Sequence, residues 1–466
     1  MNLALTLLGF CGFYVGGAGA ELFNNATEVV LMRAGTRTVL SMQNNYQGPP
    51  KDFAMVVPVP VILQKEAVKT LPREVFKKVD QLGAPRLVEY WEQDPCPPPY
   101  DPRVVESAAA DVVEERLASG VPRRRPKDLG VTVEAKFEVG EYQILILSAK
   151  EATGLEIWLR EYKYSIPPNA APLLKPYITG GWKFFVAKVD VSKVKFENGS
   201  AVLSPLRFHY DSEEFRLPVR LGLINAGAAQ DLIVSILAPE RYELANYANV
   251  TIPTNLTVAP EAKPRFGELY AALFDATVAK NPGAVVTEYA WASNTCDPCP
   301  GPTLDSNDLL TLGVDVSSSA EVSMKGQRPL PGGKKVVSAQ LAQQLQSGLT
   351  LTRLHARYTR ESLGEDLVFR AARPIVGGRD TPDPQGRMVQ GSKSGPVNNF
   401  QGRYAVLHWW EGKVECKEPR RGLWGGYSAP QPAVDTAFVK RGDVQLEQLV
   451  TQNVPELELK TSAKRP

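Results

Sequence analysis

The chain has 466 residues, of which 43% are hydrophobic and 22% are charged. This composition is typical of globular proteins and excludes a disordered or coiled-coil chain, while the length suggests about two or three domains. The 53 basic and 51 acidic residues leave a formal net charge of +2, which excludes a chain-wide basic surface for nucleic acid. The 38 prolines exceed the typical share of ~5% and predict strands, turns and long connections, because proline breaks helix interiors.

The N-terminus is similar to a secretory leader that has lost its front. Residues 3–10 are an apolar run, and Ala18-Gly19-Ala20 suits a signal peptidase, but no Lys or Arg precedes the run. We interpret residues 1–20 as a truncated leader, with a buried N-terminal strand as the alternative. The run at 3–10 is too short to span a bilayer, and no run of ~18 apolar residues occurs elsewhere, so the sequence predicts no transmembrane span.

The N-terminal part predicts strands followed by a helix. Runs rich in Val, Leu and Met at 28–32, 37–42 and 53–59 are separated by Gly and Pro. A helix is predicted to start near Pro72, because apolar residues then recur at three- and four-residue steps, and residues 87–91 extend it beyond Pro85.

A proline-rich region follows from Pro97 to Pro126. It holds a short predicted helix at 108–117 and the run Arg123-Arg124-Arg125, which we interpret either as a solvated loop or as a contact for an anionic surface.

The central part predicts an antiparallel meander with short helices rather than regular βαβ alternation. The clearest helix starts at Phe266, whose apolar residues follow the i, i+3, i+4, i+7 spacing of one helix face. The predicted strands are 131–139, 142–147, 182–189, 201–208, 217–224, 231–237, 284–291, 349–358 and 365–371. The predicted helices are 154–162, 170–177, 266–279, 305–312 and 338–345.

After Pro374 the chain becomes rich in Gly and Pro, with one isolated strand predicted at 404–410. We therefore predict a truncated leader at 1–20, a β-rich N-terminal lobe at 21–130 and a central α+β lobe at 131–373. Residues 374–466 are predicted to wrap around the body as an extended, loop-rich segment. The predicted fold class is α+β, mainly antiparallel sheets with short helices, in two interlocked lobes.

The cysteines are the most informative polar residues. Cys96 and Cys299 share an Asp-Pro-Cys-Pro setting, and rigid loop cysteines in an exported protein favour structural disulfides. Cys296, Cys299, Cys96 and Cys416 are the disulfide candidates, and Cys11 is left over. We expect a long-range bond from Cys296 or Cys299 to Cys96 or Cys416, because the CxxC loop is short and Pro298 restricts it, so that direct closure would be strained. A metal site or a redox pair at the CxxC are the alternatives.

Catalytic motifs are missing. His209, His355 and His408 lie inside strand-like runs without a His, Cys or acidic partner at ligand spacing, so we predict structural histidines and no metal site. No HExxH, GxSxG, Walker A or GxGxxG motif occurs, and no catalytic residue or cofactor is predicted. Trp409 and Trp410 are the candidate partner contact, although we expect both indoles of such a doublet to be buried.

Several blocks of the chain resemble one family of uncharacterised secreted bacterial proteins, domain of unknown function 2330, and most of all its myxobacterial versions. The resemblance extends from Cys11 to Trp424. The matching blocks are residues 11–13, 44–48, 52–60, 87–91, 181–184, 203–208, 288–291, 296–299, 351–355 and 366–370. The resemblance implies export, with Cys11 just after the leader, and implies no activity.

We therefore expect an exported, non-catalytic binding or structural protein of the bacterial cell envelope, located in the periplasm, on the outer surface or outside the cell. Its partner is an unknown protein or surface ligand, not nucleic acid. A secreted enzyme is the alternative, either a hydrolase with an unrecognised site or a CxxC thiol oxidoreductase. A surface adhesin that uses the C-terminal segment is a third class.

Overall fold

A computed structural model of the chain describes residues 13–15, 23–47, 54–96, 131–162, 170–197, 200–225, 229–317, 348–359, 361–379, 388–425 and 442–462. The protein is α+β, and its strand pairs are mostly antiparallel, as the sequence predicts. The predictions for residues 1–12 (with Cys11), 97–130 and 338–345 lie outside the described residues.

The strands are β1 Phe13–Val15, β2 Phe23–Ala34, β3 Arg37–Gln47, β4 Ala54–Val59, β5 Val68–Thr70, β6 Arg86–Glu92, β7 Val131–Val139, β8 Tyr142–Ala149, β9 Lys183–Val189, β10 Lys195–Glu197, β11 Ser200–Val202, β12 Leu206–Asp211, β13 Arg216–Leu217, β14 Gln230–Ala238, β15 Arg241–Leu244, β16 Asn249–Thr251, β17 Leu256–Val258, β18 Val285–Ala292, β19 Thr350–Tyr358, β20 Leu367–Ala372, β21 Ile375–Gly377, β22 Lys393–Ser394, β23 Asn399–Gln401, β24 Arg403–His408 and β25 Trp424–Gly425.

The α-helices are α1 Glu74–Gly83, α2 Ala152–Glu161, α3 Ala171–Thr179, α4 Phe266–Lys280, α5 Ser306–Leu312 and α6 Leu446–Leu449. Short 3-10 helices cover Lys65–Ala67, Val191–Lys193, Arg220–Asn225, Pro260–Arg265, Val314–Val316 and Pro455–Leu457. No helix in the described ranges is long and apolar enough to cross a membrane.

Two sheets pack face to face. The five-stranded sheet has the order β1-β4-β9-β8-β7, and all of its pairs are antiparallel. The central sheet has the order β22-β21-β23-β18-β19-β14-β2-β3-β12-β5, with β16 also beside β18. Alternate residues of facing strands, such as Leu31, Val57, Ile146 and Val234, are buried in one shared core. Because side chains alternate between the two faces of a strand, the other half of each strand needs a second cover.

Helices provide that second cover. The spacing that predicts α1 is confirmed, because Phe76 and Leu82 pack on the free face of the central sheet. α5 lies beside α1 and begins with a capping box in which Asp305 and Asp308 bond each other's backbone N–H groups. α4 packs on the same face of the central sheet, where Leu273 and Phe274 belong to one buried cluster with Val286. α2 and α3 cover the outer face of the five-stranded sheet.

A separate four-stranded sheet has the order β17-β24-β6-β25. It overturns two predictions. Residues 86–92 form strand β6 rather than extending α1, because Pro85 follows the end of the helix and β24 and β25 supply hydrogen-bond partners on both sides. The predicted strand at 404–410 forms as β24 but is not isolated, since it is parallel to both β6 and β17.

Prolines explain two further differences. The predicted strand 201–208 is split into β11 and β12 around Pro205, and the predicted strand 217–224 ends at Leu217 because Pro218 follows it. Residues 220–225 then form a 3-10 helix instead.

Strands from three of the four predicted segments share the central sheet. β2 pairs in parallel with β14, and β23 pairs with β18. At the N-terminus, β1 lies within residues 1–20 and pairs with β4, so these three residues belong to the folded sheet. The segment boundaries at 130 and 373 remain predictions.

Candidate functional site

One buried carboxylate organises the loop between β24 and β25. The side chain of Glu92, at the end of β6, is fully buried. Its Oε2 accepts hydrogen bonds from Trp410 N at 3.0 Å and from Arg421 Nη1 at 2.8 Å, and its Oε1 accepts one from Gly422 N at 2.8 Å. Burial alone would raise the pKa of Glu92, but the N–H donors of Gly422 and Trp410 and the charge of Arg421 lower it below its usual value. Glu92 therefore holds both ends of loop 410–422 as an anion.

A disulfide holds the same loop in its middle. Cys96, which follows β6, is bonded to Cys416, with Cα atoms 5.7 Å apart. Cys296 is bonded to Cys299. The prediction that Cys296 or Cys299 bonds to Cys96 or Cys416 is therefore wrong. The long-range bond joins Cys96 to Cys416, because Glu92 and the pairing of β25 with β6 bring loop 410–422 beside β6. Cys296 and Cys299 therefore bond to each other.

Trp409 is the exposed aromatic residue at the start of this loop. Its side chain is 38% exposed and packs edge-on against Trp424, with ring centroids 4.9 Å apart. Trp410 is partly buried, and its backbone N–H is bound to Glu92. The expectation that both indoles are buried is wrong for Trp409, because β24 ends at His408 and the chain then leaves the sheet. Of the two candidate partner contacts, the structure leaves only Trp409 exposed to a partner.

A second aromatic pair lies on the opposite face of the four-stranded sheet. Trp91 is 40% exposed and stacks on His408 with ring centroids 4.9 Å apart. His408 Nε2 lies 2.9 Å from Glu89 Oε2, and Lys263 Nζ lies 2.6 Å from Glu89 Oε1. Burial would raise the pKa of Glu89, but Lys263 and His408 lower it below its usual value. His408 thus has an acidic partner that its sequence neighbourhood does not show.

Two side-chain hydrogen bonds hold the CxxC segment against β6 and β23. Arg86 Nε donates to Pro298 O at 2.9 Å, and Gln401 Nε2 donates to Asp297 O. Cys299 is exposed, whereas Cys296 packs partly against the core beneath α1 and α5. An external thiolate therefore has access to the sulfur of Cys299.

The largest group of coupled charges is buried between the central sheet and helices α1 and α4. Arg353 is fully buried and donates to Glu288 at 2.7 Å and to Asp80 of α1. Tyr270 of α4 also donates to Glu288, at 2.5 Å, and His355 Nδ1 lies 2.7 Å from it. Burial alone would raise the pKa of Glu288, but His355 and Arg353 lower it to about 2.

This buried network continues along β19. His355 Nε2 lies 3.8 Å from Asp231 Oδ1, and the His355 ring stacks on Phe274 with centroids 3.7 Å apart. Arg357 binds both oxygens of Asp231, at 2.6 and 2.8 Å, and also contacts Asp275 of α4. Because Glu288 and His355 are at most 1% exposed, a substrate has no access to these groups. The network joins the sheet to its covering helices.

The sequence reasoning missed this network, although β19 carries a signal for it. Arg353, His355 and Arg357 alternate with apolar residues, so they share one face of the strand. Glu288 is a lone acid in the apolar run of β18, and Asp231 is the second residue of β14. A charged stripe on a central strand requires opposite charges from neighbouring elements.

His209, the remaining histidine, is half-buried, and burial together with Arg37 and Arg207 lowers its pKa. Within the described ranges, no group of three or more His, Cys, Asp or Glu side chains is arranged to hold a metal ion. The structural role predicted for the three histidines stays a prediction.

Comparison with known proteins gives one family. The family model described as an uncharacterized protein conserved in bacteria, DUF2330, matches residues 6–370. This is well over half of the chain, so the chain belongs to that family. The search of curated proteins and the search of solved structures found no match.

Proposed function

We propose that this member of the DUF2330 family is an exported, non-catalytic binding protein of the bacterial cell envelope, and that Trp409 anchors a protein partner. The observation that carries the proposal is the exposed Trp409 beside a loop held by both Glu92 and a disulfide. Because this loop is fixed before binding, a partner would lose little free energy in ordering it.

The surroundings of Trp409 fit a protein partner. Of the nine large hydrophobic residues that are exposed in the described ranges, Trp409, Val414 and Leu423 fall within residues 409–423. The same span carries both acidic and basic side chains, including Glu411, Lys413 and Arg420, most of them exposed. Protein interfaces combine tryptophan anchors with a polar rim in this way.

The cysteines support the export part of the proposal. Four of the five cysteines are joined in two disulfides, and one of these bonds links residues 320 positions apart. Such bonds persist in oxidising compartments and are rare in the bacterial cytosol. Residues 3–10 add an apolar run of leader type.

The burial of the charge network argues against catalysis by these groups. The pKa of Glu288 is lowered to about 2, and its side chain is buried from solvent between α4 and the central sheet. A catalytic acid or base must reach its substrate within hydrogen-bond distance.

A photo-crosslinking amino acid at position 409, introduced in the native host, tests the proposal. Position 91 is the matched control, because Trp91 is equally exposed but lies on the opposite face of the same sheet. We expect a discrete protein adduct from position 409 that is absent from position 91, in a fraction outside the cytoplasm. A purely cytoplasmic chain, or equal adducts from both positions, contradicts the proposal.

The exposed sulfur of Cys299 favours thiol–disulfide exchange as a second candidate function. A thiolate of a partner dithiol would attack Cys299 Sγ, and Cys296 would leave as a thiolate. The second partner thiol would then displace Cys299, which gives a partner disulfide and a reduced CxxC pair. Oxidised protein is incubated with a reduced dithiol peptide, and free thiols are counted by alkylation and mass spectrometry. Exchange at Cys296 and Cys299 alone supports this candidate, and an unreacted pair contradicts it.

A further inference from the structure

A cleft of about 630 Å³ lies at the side of the central sheet, and Trp409 is not among the residues that line it. One wall is β16, and other parts are formed by Thr277 and Asn281 near the end of α4 and by Glu456 and Leu457 of the last 3-10 helix. Its volume is within the range of sites that bury a ligand.

The wall formed by β16 is an open strand edge. β16 is parallel to β18, and among the described strands it pairs with β18 alone. The bonds to β18 use alternate residues of this segment, with Ile252 N donating to Thr287 O and Val285 N donating to Ala248 O. In a parallel ladder the intervening residues turn their backbone groups the other way. Asn249 and Thr251 therefore present N–H and C=O groups to the cleft.

Neighbouring side chains keep this edge extended. Asn249 Oδ1 accepts from Leu244 N at 2.8 Å, and Asn249 Nδ2 donates to Leu244 O at 2.9 Å. The hydroxyls of Thr251 and Ser392 lie 2.9 Å apart. Because the side chains of Asn249 and Thr251 already form these hydrogen bonds, a ligand in the cleft would bind to the backbone of β16.

The acid at the rim of the cleft favours a cation. Glu243 is bound by both Arg241, at 3.0 Å, and Arg370, at 2.9 Å, so its charge is already balanced within the protein. Glu456 is exposed at the rim, and no described basic side chain forms an ion pair with it. The C-terminal end of α4, where Asn281 lies, adds the negative end of a helix dipole.

We propose that the cleft binds an extended polypeptide segment of a partner, which adds as a strand to β16 and places a basic side chain beside Glu456. Backbone donors and acceptors at alternate residues are what another strand recognises, and side chains on alternate positions supply specificity. The site is separate from Trp409 and does not depend on the function proposed for it.

Thr251→Pro tests the role of the strand edge. Proline removes the N–H that faces the cleft and leaves the bonds between β16 and β18 in place. Thr251→Val is the matched control, because it also loses the bond to Ser392 but keeps the N–H. Circular dichroism and thermal unfolding establish that both full-length variants are folded.

The probe is a random peptide library displayed on phage and selected on the immobilised wild-type chain. We expect enriched peptides with alternating β-branched residues and at least one Lys or Arg. Synthetic copies should bind wild type and Thr251→Val equally, and Thr251→Pro at least about tenfold more weakly. Glu456→Gln should weaken binding of the basic peptides, and it tests the site even if Thr251→Pro does not fold. An empty selection, or peptides that bind Thr251→Pro and Glu456→Gln as tightly as wild type, overturns the proposal.

Discussion

Trp410 and Gly422 stand at the two ends of one loop and donate their backbone N–H groups to the same carboxylate, that of Glu92. The carboxylate has no exposed surface, and its remaining partner is Arg421. A single side chain of β6 thus closes the loop that contains Val414 and is flanked by the exposed Trp409 and Leu423. The position of Trp409 therefore depends on the buried negative charge of Glu92.

Glu92→Gln should destabilise the protein by about 1–3 kcal/mol, because a neutral amide forms weaker bonds to these three donors than the carboxylate and its NH₂ group opposes one of them. Equilibrium urea unfolding measures the loss. Glu411→Gln, at an exposed position of the same loop, is the control and should have little effect. Equal stability of the two variants would show that Glu92 does not anchor the loop.

The two disulfides should differ in their contribution to stability. Cys96 and Cys416 are 320 residues apart, so replacing both by Ser should cost about 2–5 kcal/mol through the freer unfolded chain. Replacing Cys296 and Cys299, which are 3 residues apart, should cost about 2 kcal/mol or less. Melting temperatures of both double variants, compared with wild type, check the order. A larger loss in the CxxC variant would contradict it.

Glu288 should make the protein acid-sensitive. Its pKa in the folded state is about 2, below the ordinary value of 4.5, so its stabilising effect is present above about pH 4.5 and is lost as the pH falls toward 2. The full effect is on the order of 3 kcal/mol. Urea midpoints measured along this pH range should fall more steeply for wild type than for Glu288→Gln.

Glu288→Gln should itself lose about 3–5 kcal/mol at neutral pH, because Arg353 then remains buried with one charge partner fewer. Glu418→Gln, an exposed substitution, serves as the control for both measurements. Parallel pH profiles for wild type and Glu288→Gln would refute the assignment of acid sensitivity to Glu288.

Gly378 and Gly391 provide a matched test of backbone packing. Both have positive φ angles, +66° and +67°, but a Cβ at Gly378 would lie 1.9 Å from the carbonyl oxygen of Gln401, whereas no atom lies within 4 Å at Gly391. Gly391→Ala should cost about 1 kcal/mol from backbone strain alone. Gly378→Ala should cost more than about 3 kcal/mol, because the backbone of β23 has to move. Urea unfolding of the two variants checks the difference.

Elements with local signals were predicted well from the sequence. The i, i+3, i+4, i+7 spacing of apolar side chains predicts α4, because this pattern acts within neighbouring helical turns. The predicted helix 305–312 forms as α5, with Asp305 at its N-cap. The hairpin of β7 and β8 follows from alternation on both sides of Gly140, whose φ is +56°.

Features that depend on distant pairing were not predicted. The parallel partner of β14 is β2, about two hundred residues away, and no local pattern specifies it. The partner of Cys96 follows from where β25 pairs with β6, which the sequence does not state. The acidic partners of His355 and His408 likewise come from other strands, and only the alternation of charges along β19 hints at them.

The middle position of β24 in its sheet has a consequence for the order in which the chain can fold during synthesis. β24 separates β6 from β17, so neither strand has its native neighbour until residue 408 has been made. The apolar face of α4 is covered later still, because Leu446, Val450 and Val454, which cover part of it, are synthesised after β24. A chain released from the ribosome before these residues would expose that surface. Closure of this part of the core therefore depends on residues that are synthesised after β24.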